Sequence, residues 1–264
     1  MNKSRRQTGL YMCIAGVLIA ALLSAGCINI LNPLPHEVMV RENVISVDPA
    51  YVSSSLILTL LAAPNSYEPE MFSAIDAYLP RSKPVVEAGA GIGAQSAYIN
   101  DRLEVRNGDH IAVEANPYLF DGLNKTKDTN RLGTQFINAA IAYSGDTTGV
   151  IVSTNLFETS VTNSKNTQTV TVPATTIDRL ILTSSFPDIN NVTLILDVGG
   201  TEHTIISNEE NLSDYVAVII ASVSSNGKNT PDTFAKKLTA LGYTLIHRSE
   251  PDTYDSVVMV FERA

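Results

Sequence analysis

From about residue 83 onward, short apolar segments alternate with segments whose apolar residues recur at helical spacing. The apolar segments include KPVVEAGA, HIAVEANP, NVTLILDVGG and YVAVIIASV, and the amphipathic segments include AQSAYINDRLEV, YLFDGLNKTKD, TTIDRLILTS, EHTIISNEENL and TPDTFAKKLTALG. Apolar strands separated by helices are typical of βαβ units, in which helices cover both faces of a parallel sheet. The pattern therefore predicts an α/β fold with a mostly parallel, Rossmann-like sheet.

The ends of this pattern add detail. The last two apolar segments, YTLIHRS and DSVVMVFER, are joined by EPDTY, which is too short for a crossover helix and predicts an antiparallel strand pair. In the middle, TQFINAAIA predicts one strand, while TGVIVST and QTVTVPA predict more exposed β structure. Before the sheet, EPEMFSAIDAYLP predicts a helix, and SSSLILTLLAA fits either a short apolar helix or a strand.

The first 27 residues follow a different pattern, MNKSRRQTGLYMCIAGVLIAALLSAGC. Three basic residues precede an apolar run from Gly9 to Leu23, and small residues follow before Cys27. This order is that of an export signal, and a run of this length can also remain as a membrane anchor. LSAGC resembles a lipoprotein box, in which Cys27 would be acylated, although Ser24 stands where such boxes usually have leucine. We interpret residues 1–27 as a signal or membrane anchor with a lipobox-like end.

Residues 28–50 contain three prolines and predict a linker, so that residues 51–264 form the folded domain. The basic residues lie before the apolar run, whereas the linker carries one arginine and three acidic residues. The positive-inside rule then places the body of the protein outside the cytoplasm, with the cytoplasmic face as the alternative.

Composition excludes two classes of function. The net charge of −9 argues against nucleic acid as a partner, because phosphate binding requires a basic face. The two cysteines, Cys13 and Cys27, both lie in or beside the N-terminal segment, and the four histidines show no metal-ligand spacing. We therefore expect no metal site.

The segment VVEAGAGIGAQS carries the candidate chemistry. Gly89, Gly91 and Gly93 follow the first predicted strand of the sheet, which ends in Glu87, and they precede a helix. Glycines let the backbone approach a ligand closely, and the start of a helix offers unpaired N–H groups. A tight strand-to-helix turn that needs small residues for packing would have the same sequence.

Two acidic residues indicate which ligand this loop would hold. Glu87 would repel a pyrophosphate but would accept a hydrogen bond from an ammonium group, and Glu114, at the end of the next strand, is placed to accept both hydroxyls of a ribose. An adenosine with a cationic amino-acid tail and no phosphate is S-adenosylmethionine (SAM). The sequence thus predicts SAM rather than a dinucleotide.

Five segments resemble the FkbM-type methyltransferases, SAM-dependent enzymes that mostly methylate hydroxyl groups. VVEAGAGIGAQS is similar to viDvGAniGxxS, VEANPYLFDGL to fEPnpxxfxxL, INAAIAYSGDTTGVIV to xnxAlsdxxGxxxl, VPATTIDRLI to vxtlDxll, and LILDVGGTEHTII to iKiDvEGxExxvL. The resemblance implies that Glu87 and the three glycines cradle the methionine part of SAM and that Glu114 binds the ribose. It further implies that Asn138 and Ala140 border the adenine and that Asp197 lies beside the transferred methyl group.

The half of the site that would bind the methyl acceptor departs from the family pattern. Ile195 replaces the lysine of iKiDvEG, Gly199 replaces its first glutamate, and Ala221 lies where members often have a glutamate. A base for the hydroxyl proton would then come from the remaining candidates, Asp197, Glu202 and His203, although a histidine at the start of a helix is as often a surface residue.

Two functions fit these observations. One is a membrane-anchored SAM-dependent O-methyltransferase that acts on a glycan, a lipid-linked compound or another hydroxylated small molecule. The other is an exported, catalytically degenerate domain that keeps the fold for binding or structural work. Location separates them, because SAM is made in the cytoplasm while the charge pattern places the body outside.

Overall fold

The computed structural model describes residues 33–105, 107–152, 168–252 and 255–264. Its strands are β1 (Glu37–Val40), β2 (Asn43–Ser46), β3 (Val85–Ala88), β4 (His110–Glu114), β5 (Gln135–Asn138), β6 (Ala140–Ile141), β7 (Thr147–Val152), β8 (Gln168–Thr175), β9 (Val192–Leu196), β10 (Val216–Ser224), β11 (Tyr243–Arg248) and β12 (Ser256–Arg263). Its helices are α1 (Ser54–Ala62), α2 (Pro69–Tyr78), α3 (Ala94–Arg102), α4 (Phe120–Asn130), α5 (Ile177–Leu182), α6 (Glu202–Asn208), α7 (Leu212–Tyr215) and α8 (Pro231–Ala240), with 3₁₀ turns at Pro64–Ser66 and Pro117–Leu119.

Seven strands form the central sheet in the order β11-β12-β10-β9-β3-β4-β5. Neighbours from β5 to β10 run parallel, whereas β12 is antiparallel to both β10 and β11. The predicted α/β fold with a mostly parallel sheet and an antiparallel C-terminal pair is confirmed. From β3 the chain proceeds through β4 to β5 on one side, and β9 and β10 lie on the other side. The switch point between β3 and β9 is where open α/β sheets bind their ligands.

Helices cover both faces of this sheet, which explains why its central strands are mostly apolar. All residues of β3 and of β9 are buried. On one face, Val86, Ala88 and Leu194 belong to a large core that includes residues of α5, α6 and α8. On the other face lie α2, which packs on β10 and β12, then α3, and α4 beside β5. Glu87 points to this second face, because neighbouring residues of a strand alternate between faces.

The segment TQFINAAIA is divided between two sheets rather than forming the single strand that its pattern predicts. β5 ends at Asn138, and Ala140 pairs with Ala174 in a second sheet of order β6-β8-β7. β4, the neighbour of β5, ends at Glu114, which pairs with Asn138. β7 and β8 form an antiparallel ladder, in agreement with the predicted exposed β structure.

The N-terminal part of the folded unit differs from the predicted linker over residues 28–50. β1 and β2 form an antiparallel hairpin, and the compact unit begins at His36. Val38, Val40 and Ile45 are buried, which explains why this segment is ordered despite its prolines. The segment SSSLILTLLAA, whose type the sequence left open, contains the helix α1.

The predicted signal or anchor, residues 1–27, lies outside the described residues. Among the residues that are described, no helix has the length and apolar character needed to cross a membrane. The described part of the chain also contains no group of His, Cys, Asp or Glu side chains arranged to hold a metal ion.

Candidate cofactor and acceptor site

The glycine-rich loop lies at the switch point of the sheet. Gly89, Gly91 and Gly93 follow β3 and all have positive φ angles, of 95°, 54° and 84°. At Gly89 a Cβ atom would lie 1.9 Å from the carbonyl oxygen of Asp197, so only glycine lets the loop pack against the end of β9. A Cβ atom at Gly91, by contrast, would meet no described atom within 4 Å. The loop is therefore packed closely against the residue after β9 at Gly89, whereas space remains beside Gly91.

The loop ends at the start of α3. Gly93 is the N-cap of this helix and provides no side-chain hydrogen bond to it. The first amides of a helix have no intrahelical acceptor, and the helix dipole makes this end attractive to an anion such as a carboxylate.

Glu87 lies beneath the loop and is fully buried. Its Oε2 atom accepts a hydrogen bond from the Ser96 hydroxyl at 2.6 Å and lies 3.0 Å from Nε2 of His110. Its Oε1 atom is buried and has no hydrogen-bond partner among the described residues. In the β3–β9 register Glu87 faces Ile195, the residue that replaces the lysine of the family pattern. One oxygen of this buried carboxyl group thus remains available to a donor.

Glu114 lies at the end of β4, on the other side of the loop. Its two carboxyl oxygens accept hydrogen bonds from the backbone N–H groups of Gly91 and Asn116, both at 2.7 Å. Burial raises the pKa of Glu114 to about 7. Each oxygen of a carboxylate has a second lone pair, so the same geometry allows both to accept hydroxyl groups as well.

Asn138 and Ala140, the residues predicted beside the adenine, follow on the next strand. Asn138 pairs with Glu114 in the β4–β5 register, and its side-chain amide donates to the Glu114 carbonyl oxygen at 2.9 Å. Ala140 begins β6 and is half-buried. The structure thus brings Asn138 to the Glu114 side of the loop, and the contact of both residues with adenine stays a prediction.

Asp197 follows β9 and belongs to a cluster that the sequence did not reveal. The side-chain amide of Gln95 donates to Asp197 at 2.6 Å and to Glu68 at 2.5 Å, so one amide nitrogen joins the two carboxyl groups. Tyr67 precedes Glu68 in the chain, and burial, followed by the charge of Glu68, raises the pKa of its hydroxyl group well above the usual value. Gln95 lies within the glycine-rich motif, but Glu68 precedes it by 27 residues, and no sequence signal connects the two.

This cluster is strongly acidic. Burial is the main cause that raises the pKa of Asp197 well above its usual range, and the charge of Glu68 adds to it. Burial also raises the pKa of Glu68 to about 7, although its hydrogen bond from Gln95 acts in the opposite direction. Near neutral pH Glu68 is therefore only partly ionised.

Glu202 and His203, the other predicted acid–base candidates, have different surroundings. Glu202 is buried at the start of α6 and accepts a hydrogen bond from the Gly200 N–H at 2.9 Å, so it stabilises the turn that follows Asp197. The His203 ring packs edge-on against Phe234 of α8, with a centroid distance of 5.4 Å, and burial lowers its pKa. Phe234 belongs to the core on the face opposite Glu87. The described contacts thus join His203 to α8 rather than to Asp197.

Residues 87–245 match the family model described as the methyltransferase FkbM domain, and this match covers more than half of the chain. The chain belongs to the FkbM methyltransferase family. The family resemblance, the class of enzyme and the cofactor SAM predicted from the sequence are thereby confirmed.

Solved structures to which the chain is similar include a putative transferase, PH0793, from Pyrococcus horikoshii, with 14% identity over 86% of this chain and 70% of that chain and a TM-score of 0.49. Precorrin-6y C5,15-methyltransferase from Geobacter metallireducens has 13% identity over 83% of this chain and 93% of its own, with a TM-score of 0.46. Magnesium protoporphyrin IX methyltransferase from Synechocystis, solved with bound SAM, has 12% identity over 74% and 77%, with a TM-score of 0.46. No curated protein sequence has significant similarity to the chain.

The FkbM-family site fits the groups of SAM. The uncapped start of α3 suits the carboxylate of the methionine part, and the unpartnered oxygen of Glu87 suits its ammonium group. Glu114 suits the ribose hydroxyls. The three departures from the family pattern are apolar or small residues, of which Ile195 and Ala221 are fully buried and Gly199 is exposed.

Proposed function

We propose that this FkbM-family protein is a membrane-anchored O-methyltransferase that methylates a hydroxyl group of a glycan, a lipid-linked compound or another small molecule. The observation that carries the proposal is the pair of carboxyl groups, Glu68 and Asp197, beside the glycine-rich loop and joined through Gln95. A hydroxyl acceptor must lose its proton during methyl transfer, and a carboxylate within reach can take it.

The bound cofactor would supply a methyl group attached to a positively charged sulfur. Glu114 and the start of α3 would hold its two ends, the ribose and the methionine carboxylate, and so fix the position of the sulfur between them. Such fixed placement of the reacting groups accounts for a large part of the rate of transfer reactions.

Carboxyl groups of the chain would then accept the proton of the acceptor hydroxyl. The backbone carbonyl group of Asp197 packs against Gly89, and the carboxyl groups of Asp197 and Glu68 both accept from the side-chain nitrogen of Gln95. A general base is most effective when its pKa lies near the working pH, and the pKa of about 7 of Glu68 meets this condition. Gln95 keeps both carboxyl groups in place while the proton moves.

Attachment to the membrane is part of the proposal. The apolar run from Gly9 to Leu23, preceded by three basic residues, supports an anchor, and Cys27 supports acylation. The charge pattern supports a body outside the cytoplasm, whereas the supply of SAM supports the cytoplasmic face. Protease treatment of intact and opened right-side-out membrane vesicles separates the two, because a body on the outer side is digested before the vesicles are opened.

The experiment that tests the function uses SAM labelled in its methyl group, the full-length protein in its membrane and an extract of cell-envelope glycans and lipids. We expect label in the extract that survives mild alkali, because an ether on a hydroxyl group is stable where a methyl ester is hydrolysed. The Glu114→Ala variant should transfer none. Label that alkali releases would contradict the hydroxyl acceptor, and a folded protein that does not bind SAM would favour the degenerate domain.

A further inference from the structure

The turn before α2 places Glu68 in the cofactor site. Glu68 adopts a left-handed backbone conformation, with φ of 40° and ψ of 52°, and Pro69 then begins the helix. In this conformation its carboxyl group lies against Gln95 of α3, at 2.5 Å. Glu68 therefore reaches the end of β3 and β9 from an element outside the matched family domain, which begins at residue 87.

Glu68 and Asp197 form a pair rather than two independent acids. Both accept a hydrogen bond from the same nitrogen of Gln95, which keeps the two carboxyl groups near each other. Two carboxylates that share a site resist simultaneous ionisation, since the second negative charge repels the first. One proton held between them removes this repulsion.

The surroundings of the pair increase this effect. The charged groups that act on it most strongly are acidic: Glu87 from β3, Glu202 from α6, and Asp252 from the segment between β11 and β12. Tyr67, on the same turn as Glu68, contributes a hydroxyl group whose pKa burial raises well above its usual value. A positive charge that enters the site would therefore stabilise the ionised pair.

Two buried oxygens indicate that a ligand with hydrogen-bond donors belongs beside the pair. Gln95 is 5% exposed, and its Oε1 atom has no hydrogen-bond partner in the described part of the chain, although its nitrogen bonds both acids. Glu87 is 0% exposed, and its Oε1 atom is unpartnered as well. Buried polar atoms in folded proteins are almost always satisfied, so these two acceptors favour a ligand with hydrogen-bond donors beside the pair. A cationic ligand would satisfy them and balance the acids.

We propose that Glu68 is a further cofactor-site residue, which forms with Asp197 a carboxyl pair that holds one proton before SAM binds and releases it to solvent when the positive sulfur arrives. The inference rests on the proposed binding of SAM. It adds Glu68 to the cofactor site and couples SAM binding to the release of one proton. Glu114 places the ribose on the β4 side, so the sulfur, bonded to the ribose, would lie toward β9 and the pair. The released proton leaves the pair free to accept the next one from the acceptor hydroxyl.

The test compares SAM with S-adenosylhomocysteine, which has the same tail and ribose but a neutral sulfur. Calorimetry of the full-length protein at pH 7, in two buffers of different ionisation enthalpy, gives the number of protons released with each ligand. We expect SAM to release roughly half a proton or more beyond the number released by S-adenosylhomocysteine. A proton that Glu114 releases to solvent when it accepts the ribose hydroxyls contributes equally to both ligands and cancels in the comparison.

Variants identify the source of the proton. Glu68→Gln should abolish the difference between the ligands and weaken SAM binding roughly tenfold at pH 8, while the affinity for S-adenosylhomocysteine stays within about twofold. Glu70→Gln, in the first turn of the same helix, is the matched control and should keep the wild-type difference. Equal proton release by the two ligands in the wild-type protein would overturn the inference without any variant. A difference that persists in Glu68→Gln would overturn it as well. No binding of SAM to the folded wild-type protein would instead defeat the proposed function itself.

Discussion

Single residues decide how the glycine-rich loop meets the rest of the site. The acid before the loop, its three glycines and Glu114 could be predicted, because they stand at fixed distances from the ends of two strands. Glu68 could not, because it is distant in sequence from Gln95 and reaches it through a left-handed turn. The direction of His203 could not be predicted either, because a helix start can present a side chain to the site or, as here, to a neighbouring helix.

Gly89→Ala tests the contact between the loop and Asp197. The added Cβ atom would lie 1.9 Å from the Asp197 carbonyl oxygen, so the loop must move, and we expect both a lower melting temperature and loss of SAM binding. The matched control is Gly108→Ala, which has a similar φ of +91° but no described atom within 4 Å of the new Cβ. In the control, backbone strain alone should lower the free energy of unfolding by about 1–2 kcal/mol. In Gly89→Ala, the clash should lower it by a further ~1–3 kcal/mol. Equal losses in the two variants would show that the contact is unimportant.

At the scale of elements, the sequence predicts the strands and helices of the central sheet well and the N-terminal hairpin poorly. The strands of the central sheet alternate with amphipathic helices along the chain, whereas β1 and β2, of four residues each, lie outside this alternation. Their turn has Arg41 at a φ of 56° instead of the usual asparagine or glycine. The hairpin is held by contacts with α4 that only the folded structure brings together.

Asn130→Ala tests this attachment. The Asn130 side chain accepts from the Val44 N–H at 3.0 Å and donates to the Val44 carbonyl oxygen at 2.7 Å, so its removal leaves both backbone groups unpaired. We expect a loss of about 1–3 kcal/mol in the free energy of unfolding. Amide hydrogen exchange should accelerate at Val44 and Ser46. Asn124→Ala, at an exposed position of the same helix, should change neither the free energy of unfolding nor these exchange rates. Unchanged exchange at Val44 in the Asn130 variant would refute the account of the hairpin.

At the scale of the whole molecule, buried acids link stability to pH. Burial raises the pKa of Glu68, Glu114 and Glu209 from 4.5 to about 7. Between these values the folded protein binds more protons than the unfolded chain, so the free energy of unfolding falls as the pH rises through this window. In the proposed site, bound SAM would favour the ionised forms of Glu68 and Glu114, so the stabilisation by SAM should increase as the pH rises.

We therefore expect the melting temperature to fall between about pH 5.5 and pH 8, and the increase produced by saturating SAM to be larger at pH 8. Glu209→Gln is the informative control, because Glu209 accepts hydrogen bonds from Tyr143 and the Ile177 N–H, away from the loop. This variant should reduce the pH dependence of the unliganded protein and leave the effect of SAM unchanged. A melting temperature that rises with pH over this range would contradict the assignment of the raised pKa values.

The central claim is that this FkbM-family protein binds SAM at the glycine-rich loop. Calorimetry of SAM with the full-length protein tests this claim most directly. The account predicts saturable binding of one SAM per chain, and loss of at least tenfold in affinity in Glu114→Ala, because a carboxylate that accepts two hydroxyl groups is removed. The exposed Glu104→Ala serves as the control and should bind as the wild-type protein does. No heat of binding from a protein shown to be folded by its thermal unfolding transition would contradict the account.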